Sequence, residues 1–142
     1  PGGKQEMAEK VLGEQGKRLQ YIVLRYFNAD TSASKALMLS LSGVGDFYNG
    51  DQPACLMNSV LHGTGIPLFT GNIAGAVSAW QRCYAQAYAD VCGSRQEGET
   101  WAAYALERIQ GALILSRVKN DRQSLVQCLS ELEGDVMAAA ED

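Results

Sequence analysis

The single histidine of the chain, His62, limits the nucleophilic chemistry open to it. A cysteine or serine nucleophile would need that imidazole as its base, and the nearest thiol, Cys55, lies seven residues away. On a regular helix this is two turns on one face, about 10 Å along the axis and beyond hydrogen-bond reach. Cys55, Cys83, Cys92 and Cys128 contain no C-x-x-C pair, and Gly63 directly after His62 reads as a turn, so neither a redox dithiol nor a zinc cluster is expected. The four cysteines read instead as small, buried or half-buried thiols of a reducing compartment, which predicts a cytoplasmic protein. Gly43-Val44-Gly45 and Gly63-Thr64-Gly65 are too short for a dinucleotide fingerprint, and no strand precedes either. Carboxylates pair only at Glu97/Glu99 and at Glu131/Glu133/Asp135, in charged runs that read as solvated faces. No catalytic group, metal or cofactor is expected, and the chain is not expected to be an enzyme.

What remains is a set of aromatic and soft side chains spread over several segments: Tyr21, Met38, Phe47, Met57, His62, Phe69, Trp80, Tyr84, Trp101 and Tyr104. Two readings stand beside each other. They form an ordinary core, or they wall a ligand cavity that is apolar with a few polar tips. Tyr and Trp carry polar tips that a buried site must satisfy, and Asn58, Ser59, His62 and Arg108 would need partners inside as well. The cavity reading places Tyr21, Met38, Met57, His62, Trp80, Tyr84, Trp101 and Tyr104 around a small apolar or aromatic effector.

The elements that must position these residues are helices. Over residues 4–27, Met7, Val11, Leu19, Ile22, Val23 and Tyr26 recur at three- and four-residue steps, with Gly13 and Gly16 marking a candidate bend. Asn28-Ala29-Asp30-Thr31-Ser32 ends that segment and caps the next, residues 34–48, which carries Leu37, Met38, Leu41, Val44 and Phe47 on one stripe. After the turn at residues 49–53, residues 54–62 read as a short buried helix, broken by Gly63-Thr64-Gly65-Ile66-Pro67. From Thr70 to Cys92, Ile73, Val77, Trp80, Tyr84 and Tyr88 mark a long amphipathic helix. Residues 97–118 leave hardly any polar face, and Leu125, Val126, Leu129, Leu132 and Val136 follow on residues 122–137. A helix apolar nearly all round must be covered on two sides. Two such helices joined at Asn120-Asp121 predict a symmetric four-helix dimer interface, assigned to Ile109, Ala112, Leu113, Ser116, Leu125, Leu129 and Leu132. Gly111 and Ala112 would allow close approach there.

No segment alternates as a strand does, so the expected fold is one all-α domain over residues 1–142, a bundle of about five to six helices. The 142 residues, with 46% apolar content, are enough to bury a core, and 12 Lys+Arg against 16 Asp+Glu give a net charge of −4. That balance excludes both a disordered chain and a basic nucleic-acid surface. No stretch approaches the roughly 20 apolar residues of a membrane span, so no membrane partner is expected. Pro1-Gly2-Gly3 is turn chemistry with no leader before it, which predicts a fragment of a longer protein.

Three stretches carry a resemblance. Pro1-Gly2-Gly3-Lys4-Gln5-Glu6-Met7-Ala8 resembles the junction after the recognition helix of TetR-family repressors. Residues 107–121, with Gly111-Ala112-Leu113-Ile114-Leu115-Ser116-Arg117 running on to Asp121, resemble the dimerising helix of the LmrA/YxaF-like branch of that family. Ala54-Cys55-Leu56-Met57-Asn58-Ser59 is similar to the Gly-Cys-Leu-Leu-Asn run of the same branch, with Ala54 in place of its usual Gly. The segment from His62 to Pro67 has no counterpart in the pattern. The resemblance implies the C-terminal effector-binding and dimerisation domain of a transcriptional repressor. It would work as a homodimer and reach operator DNA through an N-terminal helix-turn-helix domain absent from this chain. It further implies that effector in the pocket shifts the first helix and lowers operator affinity, and that Lys4 approaches a DNA phosphate. The alternative is a small helical enzyme or carrier that binds an apolar ligand without any DNA-reading partner.

Overall fold

The computed structural model describes residues 17–48 and 66–141 together with Gly3 and Glu14, and over 66–74 it describes the helical backbone alone. The expectations for Lys4, for Gly13 and Gly16, for the helix at 54–62 with Met57 and His62, and for the Phe69 side chain lie outside the described residues. Everything described outside turns is helical, with no strand among the described residues, which is the all-α bundle the periodicity predicts.

The chain enters through helical residues 17–19 and widens into a π-helical turn, Gln20–Leu24. A π-turn inserts one extra residue into the winding and breaks the 3.6-residue period. Leu19 and Val23 stay buried across it. The turn lies hard against the first full helix, α1 (Ala33–Phe47), at Gly43, where a Cβ would overlap the Ile22 carbonyl. Only glycine fits there. Asn28 closes the segment as an Asx-turn, its Oδ1 accepting from the Asp30 amide at 2.9 Å and from Thr31 Oγ1 at 3.2 Å. Ser32 then caps α1, its Oγ accepting the Lys35 N–H at 3.4 Å.

Helix α2 (Ile66–Cys92) begins four residues before the expected start at Thr70. Pro67 therefore sits in the first turn of this helix, where a residue needs no N–H donor. Helix α3 (Arg95–Lys119) starts at Ser94, whose side chain accepts the Glu97 N–H at 3.3 Å. It stops at Asn120, which takes a left-handed φ of 54°. The Asp121 amide then reaches Ser116 O at 3.0 Å and the Asn120 amide reaches Arg117 O at 3.2 Å, satisfying carbonyls the helix end leaves open. Helix α4 (Gln123–Glu141) follows and runs four residues past its expected end.

Helices α2 and α3 form a hairpin through the turn at Gly93, and α4 packs on α1 and α3. The hairpin closes most tightly at Gly98, where a Cβ would overlap the Ala85 carbonyl and the Ala89 amide. One contiguous core joins Leu19 and Val23 to Leu37, Leu41, Val44 and Phe47 of α1, and to Trp80, Tyr84 and Tyr88 of α2. Ala105, Ile109, Leu125 and Leu132 close it from the other side. Each large side chain buried in this way contributes about 1.5–3 kcal/mol.

Candidate functional site

The helices bring the expected aromatic residues together as a run of packed rings. Trp80 meets Tyr84 edge-on at 6.0 Å between centroids, Tyr84 meets Tyr88 at 6.1 Å, and Tyr88 stacks on Trp101 at 5.9 Å. Trp101 in turn stands edge-on to Tyr104 at 5.5 Å. Tyr88 is the ring that links α2 to α3, and its spacing alone assigns it to the helical stripe. Its four-residue step from Tyr84 was the available signal. Met38 is half-buried against this core.

Two of the expected pocket residues face outward. Tyr21 is 64% exposed, with the Arg25 guanidinium 4.6 Å above its ring. It sits two residues from buried Leu19 and two from buried Val23, and is therefore turned away from the core. Tyr104 is 40% exposed and accepts a hydrogen bond from Arg108 at 3.3 Å. Neither walls an interior cavity.

Polar groups inside the core divide into satisfied and unsatisfied. The Ser40 and Tyr84 hydroxyls lie 2.8 Å apart, fully buried. Burial pushes the Tyr84 phenol far above its ordinary value, and the Ser40 hydrogen bond offsets only part of that. Tyr48 is pushed up to about 12, again by burial, against the pull of its hydrogen bond with Gln110. Among the described residues, Trp80 Nε1 and Tyr88 Oη are buried without a partner. The Tyr88 phenol is raised first by burial and then by neighbouring Tyr84 and Asp135. Cys83, Cys92 and Cys128 are free thiols, each pushed up mainly by burial, which holds them neutral. Among the described residues no three His, Cys, Asp or Glu side chains converge as a metal site would need, and no helix is long and apolar enough to cross a membrane.

A groove of about 500 Å³ opens beside this core, and none of the expected pocket residues that the structure describes lines it. Its walls are the turn after the π-segment, with Phe27, Asn28 and Thr31, the start of α1, and the α2 face carrying Cys83, Gln86, Ala87 and Asp90. The signal for it was faint: small and polar residues at three-, four- and seven-residue steps on α2, opposite Ala33 and Ala36.

The expected dimer residues need a correction. Ile109, Ala112, Leu113, Leu125, Leu129 and Leu132 are all buried within the protomer. They share the inward face of α3 and α4, and the chain's own core covers them. Ser116 is half-buried, its Oγ accepting the Leu125 N–H at 3.2 Å across the α3–α4 turn. The uncovered apolar face lies on the outside of the same helices. On α3 it holds Ile114, Leu115 and Val118, the last two 49% and 77% exposed, beside Gly111. On α4 it holds Val126 and Met137. Between the helices a cleft of about 350 Å³ is lined by Gly111, Ala112, Leu115, Ser124, Gln127 and Cys128, with Arg108 at one end. Arg108 ties α3 to α4 through Glu131, at 2.7 Å. That hydrogen bond, with a second from Gln127, holds the Glu131 carboxyl below the usual carboxylate range.

No protein-family model, curated protein or solved structure matches this chain.

Proposed function

We propose that this chain is the ligand-sensing and dimerisation domain of a TetR-like transcriptional repressor. It acts in the cytoplasm as a homodimer, responds to a small apolar or aromatic effector, and engages operator DNA through a helix-turn-helix domain on its N-terminal side. The observation that carries the reading is the exposed apolar stripe of Ile114, Leu115 and Val118 on α3, with Val126 and Met137 also exposed on the neighbouring helix. Two adjacent long helices with uncovered apolar faces suit a symmetric four-helix contact, with Gly111 allowing backbones to approach. Support for the sensing half comes from the groove, which borders the turn that follows the π-segment. A ligand that moved this turn would pull on the first helix, which is seated without slack against Gly43.

Sedimentation at micromolar concentration tests the reading directly. A dimer that Val118→Asp dissociates supports it, and a monomer sinks it. The upstream reading frame is the second check, where an encoded helix-turn-helix is expected. A monomer that still binds ligand in the groove would favour a small helical carrier instead.

A further inference from the structure

The groove between the 27–36 segment and α2 has a composition that selects its ligand. Its apolar lining is Phe27, Ala33 and Ala36 with Ala87 of α2, and its polar lining is Asn28, Thr31, Gln86 and Asp90. Phe27 is braced from behind by Tyr84 at 5.6 Å, and Tyr84 is tied to Ser40, so that wall is fixed. The neighbouring Asn28 side chain is fixed too. Asn28 spends its Oδ1 on Asp30 and Thr31, and its amide donates to the Arg25 carbonyl at 3.3 Å. Cys83 stays a neutral thiol. Among the described lining residues one is charged, Asp90, and none is Lys or Arg. Asp90 lies seven residues from Cys83 and four from Gln86, at the same face of α2, and is exposed.

We infer that this groove binds a small amphipathic amine, with its aromatic or aliphatic body beside the Phe27 ring and its ammonium group against the Asp90 carboxylate. A volume of about 500 Å³ suits a body of one or two rings. An anionic ligand would meet a like charge at Asp90, with no cation among the described lining residues to offset it. The inference rests on the sensing role proposed above and names the chemical class of its effector.

The test is a titration of the isotopically labelled full chain, followed by amide NMR shifts, with three probes of one size: phenethylamine, phenethyl alcohol and phenylacetate. The amine is expected to move the amides of 27–36 and 83–90, and to bind about tenfold more tightly than the carboxylate. Asp90→Asn, an exposed and isosteric change, should abolish that preference while leaving the alcohol unaffected. Ala29→Trp, at the exposed lip, should block all three. Equal or tighter binding of phenylacetate, shifts confined to other residues, or no shifts at millimolar amine each overturn the inference. Sedimentation of the same samples separates the two ideas. A dimer that ignores the amine defeats this inference alone, and a monomer that binds it at Asp90 defeats the repressor reading alone.

Discussion

The hydroxyl of Ser40 on α1 lies 2.8 Å from the hydroxyl of Tyr84 on α2, with both side chains fully buried. This pair is a polar tie between two helices that share the apolar core. Ser40→Ala orphans the Tyr84 phenol in a dry interior and should cost about 1–3 kcal/mol. Ser40→Ala combined with Tyr84→Phe should cost less than the two single changes summed, by about 1 kcal/mol, because the second change removes the orphan. Urea denaturation of the three variants measures the coupling, and strict additivity would refute the tie.

Tyr88 makes the opposite case. Its hydroxyl is buried without a partner, so Tyr88→Phe removes a desolvated group and loses no hydrogen bond. The expected result is unchanged or raised stability, by up to about 1 kcal/mol, read from the same urea curves. A clear loss would mean the phenol has a partner in solution.

Two glycines separate close packing within the protomer from close packing between protomers. Gly43→Ala forces a Cβ into the Ile22 carbonyl and should destabilise the fold by about 2 kcal/mol or more. Gly111→Ala meets nothing within 4 Å in the protomer, so helix propensity alone should stabilise it by about 1 kcal/mol. If protomers approach at Gly111, the same change weakens the dimer while the monomer gains. Thermal melting paired with sedimentation distinguishes the two effects.

Leu115→Asp and Val118→Asp place charge on the outward stripe without touching the core. Each should raise the dimer dissociation constant by about a hundredfold and leave helicity unchanged. Ile109→Asp provides the contrast: it buries a charge in the protomer, and loss of folding is expected rather than clean dissociation.

The pH dependence has two limbs. Glu131 has a lowered pKa in the folded chain, so its contribution is present above the unfolded carboxylate value and is lost as pH falls through the folded one. The pair is exposed and its share is small, and Glu131→Gln should flatten the acid side of a melting-temperature profile slightly. Tyr48, Tyr84 and Tyr88 have raised values, so the native state resists their ionisation and stability falls as pH climbs above about 10, with Tyr48 following at about 12. Absorbance at alkaline pH should show these three of the six tyrosines ionising only as the helical signal is lost.

The helices were legible because apolar residues recur at helical steps, as in Leu37, Leu41 and Val44. What covers each apolar face was not legible. Periodicity gives a direction around a helix, and Ile109 and Leu115 both lie in an apolar run, yet one meets the protomer's own core and the other is half exposed. The π-turn at Gln20–Leu24 was hidden for a related reason: its extra residue changes the winding without any residue type that demands it. The groove escaped notice because it is made by what is small. Ala33, Ala36 and Ala87 create space by their size, whereas large aromatic residues, the visible signal of a pocket in a sequence, fill it.

The ring sequence from Trp80 to Tyr104 has an optical consequence. Both tryptophans of the chain stand in it, one fully buried and one half-buried, and Tyr84 and Tyr88 lie between them. Light absorbed by either tyrosine should pass to an indole a few ångströms away, so the emission of the whole chain is that of the α2–α3 hairpin. The unlabelled protein carries its own reporter: a shift in colour follows that hairpin, and events at the outer face of α4 leave it dark.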